Sequence, residues 1–178
     1  LKANGGTGTA EGTNGVVALP LELPYGPTAI KEITALTSLE DYASELNQKE
    51  LLVLKETLKR AAVVLLGRVG GGTKASASSD ALTVNALYDG TGGNAINIVV
   101  KGDPDDDTVY HVLTYLNRIE KDSQSIKNLK DLVPNKLVSF TGEGNPIVAT
   151  VALTGGTSNA PIAADYLDFF SKIQLFDF

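Results

Sequence analysis

The stretch Leu58–Ala75, LKRAAVVLLGRVGGGTKA, decides the fold, because it joins a helix end, a buried strand and a glycine exit. Leu51, Leu54 and Leu58, with Leu52 beside them, make an apolar stripe at three-to-four spacing that predicts a helix over Lys49–Arg60. Lys55, Lys59 and Arg60 fall toward its C-terminal end, where the dipole favours cations. Ala61–Leu66 is apolar at every position, as in a strand covered on both faces. Upstream, Val16–Leu23 reads as a second apolar strand closed by the turn residues Pro24-Tyr25-Gly26-Pro27. Ala29–Ile33 reads as a short extended piece, and Ser38-Leu39-Glu40-Asp41 as a capping box opening a short helix, Leu39–Leu46. Residues 1–15, rich in Gly, Thr and Asn, read as a flexible lead.

Beyond Gly70-Gly71-Gly72 the period changes to two. Leu82, Val84, Ala86 and Tyr88 alternate with polar or smaller residues; Ile96, Ile98 and Val100 do the same after a turn at Asp89–Gly93. Asp103–Asp107 reads as an acidic hairpin tip, and Thr108–Leu116 and Ile119–Ser125 as strands paired around Asn117-Arg118. Asn128–Leu132 reads as one helical turn, Pro134-Asn135 as a break, and Leu137–Phe140 and Ile147–Leu153 as the last strands. Short strands at this spacing predict a small sandwich or barrel. Pro161 suits the first turn of a final helix whose apolar face is Tyr166, Phe169, Phe170 and Ile173.

The expected fold class is therefore α+β. A partial α/β core (strand–helix–strand plus a C-terminal helix, residues 16–72 and 158–178) carries an inserted antiparallel β-sandwich or barrel module over residues 73–157. The glycines form the doorway between them. An inserted module needs its two ends close together.

Composition narrows the function classes. A hydrophobic fraction of 43% and a charged fraction of 20% are those of a folded chain. No apolar run approaches the ~20 residues of a membrane span, so membrane insertion is not expected. A net charge of -6 with scattered basic residues argues against a nucleic-acid partner. Zero Cys excludes disulfides and thiolate metal sites. The chain starts at Leu1, contains no Met and ends on Leu175-Phe176-Asp177-Phe178, so it is expected to be a piece of a longer protein.

The motifs that suggest chemistry each fail a physical test. Gly67–Lys74 follows a buried strand like a phosphate loop, but Thr73 precedes Lys74 and a strand, not a helix, is expected next. A flexible linker is the better reading there. Gly90–Ala95 fits a dinucleotide-type glycine pattern, yet Ile96–Val100 offers pyrophosphate no helix N-terminus. Asp103, Asp105 and Asp107 alternate like Ca²⁺-loop ligands, but Thr108 stands where glycine is required and Thr114 where a bidentate Glu is required. His111 is the only histidine and sits on a strand between Val109 and Leu113. A hydrolase would need it to meet an acid and a hydroxyl in a cleft. Glu11, Glu22 and Asp165 would form a carboxylate pair only if folding joined them. No catalytic, cofactor-binding or metal residue is nominated, and no small-molecule substrate.

A resemblance carries the reading further. Val151–Thr157 (VALTGGT), then Ala164-Asp165-Tyr166-Leu167 and Phe176-Asp177-Phe178, resemble tail sheath proteins of contractile phages and phage-derived particles of Gram-positive bacteria. The likeness extends upstream in order, through Gly15–Pro20 with Tyr25-Gly26-Pro27, Leu58–Ala61, Val64–Leu66, Gly71–Ala75, Tyr88–Asn94 and Thr114-Tyr115-Leu116. The resemblance implies a structural subunit of a virion tail or phage-like particle, assembled in the host bacterial cytoplasm. Its partners would be neighbouring sheath subunits and a tail tube protein. Such subunits stack as hexameric rings and contract to drive the tube through an envelope, without nucleotide or catalytic residues. The resemblance also implies a longer protein, its core completed by C-terminal sequence and its arms adding strands to neighbours. The alternative is a β-sandwich binding module, adhesin or carbohydrate-binding, of a larger surface protein.

Overall fold

The computed structural model describes residues 15–34 and 48–174. The capped helix expected over Leu39–Leu46, and all of the expected lead except Gly15, lie outside the described residues.

The first unit is a three-stranded sheet in the order β1 (Val16–Leu21), β3 (Val63–Arg68), β2 (Lys31–Ile33). β1 runs parallel to β3 with Val16 opposite Val63, and β2 runs antiparallel to it. Helix α1 (Gln48–Leu58) sets Leu51, Leu54 and Leu58 against Val64 and Leu66 of β3 and Leu19 and Leu21 of β1. Leu52, expected beside that stripe, is instead 58% exposed. The opposite face of β3 is covered by α2 (Ala163–Ile173). A Cβ at Gly67 would fall 2.4 Å from the Phe169 ring, so glycine is what lets this helix lie on the sheet. β3 is thus covered on both faces, as its unbroken apolar run requires.

The second unit is a sandwich of two four-stranded sheets. One has the order β11 (Thr157–Ser158), β4 (Gly72–Ser79), β5 (Leu82–Asp89), β9 (Val138–Gly142). The other has β10 (Ala149–Ala152), β6 (Ile96–Gly102), β7 (Tyr110–Leu116), β8 (Ile119–Ile126). Inward residues alternate along the strands: Leu82, Val84 and Ala86 on β5, Ile96, Ile98 and Val100 on β6, Val112 and Leu116 on β7. That alternation is the pleat meeting a shared core. The segment from β10 to β11 closes one side by changing sheets: Val151 pairs with Ile98, Thr154 bridges Ser76, and Thr157 pairs with Thr73. The other side is bridged by side chains. Gln124 exchanges two hydrogen bonds with the backbone of Val133, and Asn135 donates to Thr114 and Asp122 while accepting from the amides of Leu137 and Val138. The architecture is α+β with a β-sandwich module.

Several expectations shift. The glycine exit is not a flexible linker: β3 continues through Gly67 and Arg68, and β4 already begins at Gly72. The paired chain leaves no slack, since Asn159 N–H bonds Gly71 O and Gly70, at φ +85°, lies under Asn159 O. The expected turn at Asp89–Gly93 becomes a 3-10 turn over Thr91–Ala95. In α2 only Phe169 is buried among the expected apolar face; Tyr166 and Phe170 are 38% and 51% exposed. Pro161 precedes this helix rather than opening it, and Asp165 caps it by accepting from the Ile162 amide.

The β7–β8 turn holds Asn117 at φ +50° and Arg118 at φ +69°, the left-handed pair of a two-residue primed turn. Asparagine tolerates this conformation; an arginine Cβ opposes it. Arg118→Gly is expected to stabilise the chain by up to about 1 kcal/mol, read as a higher urea midpoint. An unchanged or lower midpoint would contradict the strain.

Candidate functional site

The structure scatters the residues that the sequence made tempting. Gly67–Lys74 belongs to two strands and their connection, so no helix N-terminus faces a phosphate there. Gly90–Ala95 leads through its 3-10 turn into β6. Asp165 serves as the α2 cap, Glu22 lines a surface groove at the end of β1, and Glu11 lies outside the described residues. Among the described residues, no group of three His, Cys, Asp or Glu side chains is placed to hold a metal ion.

His111 does meet an acid and a hydroxyl. Its Nε2 lies 2.7 Å from Asp103 Oδ2 and its Nδ1 2.9 Å from Ser125 Oγ. Because a carboxylate only accepts, Nε2 carries the proton shared with Asp103. In the neutral ring Nδ1 then accepts from the Ser125 hydroxyl; in the charged ring it donates, and both bonds persist. The geometry follows from register, since His111 and Ser125 are direct partners on β7 and β8. Ser125 stands one residue before the end of β8 on an exposed face, not on the sharp turn that presents a nucleophile. Asp103 Oδ1 also accepts from the amides of Asp105 and Asp106, so the cluster pins the acidic tip. The Asp105 amide first, then His111, with the Asp106 amide after them, hold the Asp103 carboxyl below its ordinary value.

The densest polar construction lies where the α/β layer meets the sandwich. Arg68 ends β3 with its side chain 1% exposed. Its guanidinium donates from Nε to Leu23 O (3.1 Å) and from Nη1 to Gly26 O (3.1 Å). It also grips both oxygens of Asp89, at 2.8 and 3.2 Å, from the end of β5. Burial alone would push the Asp89 carboxyl up; the Arg68 hydrogen bond and charge outweigh it, and the net shift is downward. Beside this fork, Tyr25 projects from the β1–β2 connection into the sandwich core. Its ring is buried, edge-on to Tyr88 at 5.4 Å, and its hydroxyl donates to Leu137 O at 2.5 Å. Backbones touch as well: the Gly92 amide donates to Pro24 O, and a Cβ at Gly90 would fall 2.1 Å from that oxygen. Sequence reading missed both residues; Gly90 and Gly92 after Asp89 were the available sign of a close approach.

A groove of about 380 Å³ follows the same seam, between Leu21–Pro24, the first turn of α1 and the Thr91–Ser158 pair. Large apolar side chains are also displayed around α2, with Ile162 65%, Leu167 71% and Phe170 51% exposed.

Comparison with known proteins agrees in order along the chain. Residues 70–159 match the phage tail sheath protein beta-sandwich domain, and residues 14–69 match the N-terminal region of tail sheath protein Gp18 domain III. The chain belongs to the phage tail sheath protein family. Among solved structures, the sheath tail proteins of Desulfitobacterium hafniense and Listeria innocua superpose on this sheath chain with TM-scores of 0.84 and 0.83. Both are 32% identical over 94% of the chain, which corresponds to 41% and 39% of theirs. Two proteins of Bacillus subtilis (strain 168) are similar as well. They are the uncharacterised protein YqbK, 33% identical over 92% of this chain, and the phage-like element PBSX protein XkdK, 32% identical over 90%. The sheath chain spans about two fifths of their length, 40% and 39%. Membership supports a structural role in a phage tail sheath.

Proposed function

We propose that this chain is part of a contractile tail sheath subunit that stacks as hexameric rings around a tail tube and contracts to drive the tube through a cell envelope. The observation that carries this reading is the match to two sheath domains, met in sequence order by an α/β layer and a sandwich. In it, residues 16–72 and 158–178 are part of the sheath core, and residues 73–157 an inserted module. The outward side of α2, with Ile162, Leu167 and Phe170, is where the remaining core packs. The work is mechanical and involves no catalytic residue, cofactor, nucleic acid, membrane insertion or small-molecule substrate. The partners are neighbouring sheath subunits and the tube protein, in a virion tail or phage-like particle assembled in the host cytoplasm.

The test is a chimera of XkdK in which the matched two fifths is replaced by residues 14–174 of this chain. Negative-stain microscopy of XkdK and the chimera, each produced with its tube protein, is expected to show striated tubes of stacked rings for both. Tubes from XkdK alone, or from neither, would count against the assignment.

A further inference from the structure

We infer that the α/β layer and the sandwich form one rigid body that unfolds in one step, joined by the Pro24–Tyr25 connection and Arg68, although the family matches divide the chain between residues 69 and 70. This holds whether or not the chain works in a sheath.

Four observations converge on the seam. Tyr25 belongs by sequence to the first unit, yet its side chain is counted in the core of the second, among Ala75, Ala86 and Ile96. Parting the units would leave the sandwich with a cavity of aromatic size. Arg68 takes its carbonyl acceptors from the layer and its carboxylate from the sandwich. Opening the seam would separate a buried guanidinium from its counter-charge, which a low-dielectric site opposes strongly. The connection also has no clearance: a Cβ at Gly92 would lie 2.7 Å from Tyr25 Cβ and 3.1 Å from Pro24 O. Finally, the entering and leaving chains are clamped together, Thr73 beside Thr157 and Gly72 beside Ser158, with the Asn159 amide on Gly71 O. A hinge needs a segment able to change φ and ψ without breaking packed contacts. Among the described residues, the segments that cross this seam are hydrogen-bonded to their neighbours.

Hydrogen exchange with mass spectrometry across a urea series reads this directly. Peptides from β3 and from β5–β7 are expected to lose protection at the same urea concentration. Gly92→Val drives a wedge between the Thr91–Ala95 turn and the Pro24–Tyr25 connection, and is expected to split the transition by on the order of 1 M urea, the layer opening first. Wild-type β3 peptides that open at lower urea while β5–β7 stay protected would overturn the inference. So would a folded Gly92→Val chain with coincident transitions. If that variant fails to fold, the wild-type comparison alone decides.

Discussion

Replacing Tyr25 by alanine is expected to destabilise the chain by about 3–5 kcal/mol, the range for deleting a buried aromatic ring. Its side chain is 1% exposed, and the space it leaves is walled by residues of two sheets held by their own hydrogen bonds. Partial collapse is therefore the most the site can do. Tyr25→Phe separates ring from hydroxyl. Leu137 O also accepts from the Leu87 amide, so losing the phenol does not orphan that carbonyl. The phenylalanine variant is expected to lose only about 0.5–1.5 kcal/mol. Urea unfolding followed by circular dichroism measures both, and a Tyr25→Ala loss below 1 kcal/mol would show that the ring does not anchor the seam.

The second large effect is expected at Asp89. Truncation to alanine leaves the Arg68 guanidinium buried with two backbone acceptors and no counter-charge. The expected loss is about 3 kcal/mol, the low end for breaking a buried pair because the carboxylate is itself one quarter exposed. Arg68→Met breaks the same pair from the other side, taking the counter-charge from the Asp89 carboxylate and the guanidinium donor from Leu23 O and Gly26 O, and is expected to cost a similar amount. The pair also sets a pH dependence. The Asp89 carboxyl is lowered in the folded chain from its ordinary value of 3.8, so the unfolded chain binds the proton more tightly. The stabilisation is therefore complete above the unfolded value and is lost as pH falls through the folded one. Unfolding measured from pH 6 to pH 2.5 is expected to show a shallower acid decline in Asp89→Ala than in wild type. Parallel declines would mean that Asp89 does not contribute.

How legible all this was depended on whether a residue's role is local. β5, β6 and β7 announce themselves because Leu82, Ile98 and Val112 alternate with residues that face outward. α1 does so through Leu51, Leu54 and Leu58. The long first half of β4 did not, since Gly72-Thr73-Lys74 carries no alternation and its partner Thr157 lies far along the chain. Arg68 reads only as part of the Gly67–Lys74 linker; only the fold reveals that carbonyls and a carboxylate converge on it. Tyr25 looked like a turn residue for the same reason. The His111 cluster was half legible: the strand position was readable, but the meeting with Asp103 depends on how the acidic tip curls back. The family likeness reached further than any single motif because it rests on the order of many weak ones.

The closing of the sandwich by its last segment also has a consequence during synthesis. β4 is made early, but its outer edge finds Thr154 and Thr157 only when the chain has grown by about eighty residues, the separation recorded in the Thr73–Thr157 contact. Until then that edge is an open template of the kind that recruits other chains. Its composition answers the hazard: Thr73, Lys74, Ser76, Ser78 and Ser79 are small, polar or charged, a poor seed for stacked sheets. The residues that hid this strand from a sequence reading are the ones that keep nascent chains from finding one another before each has sealed its own edge.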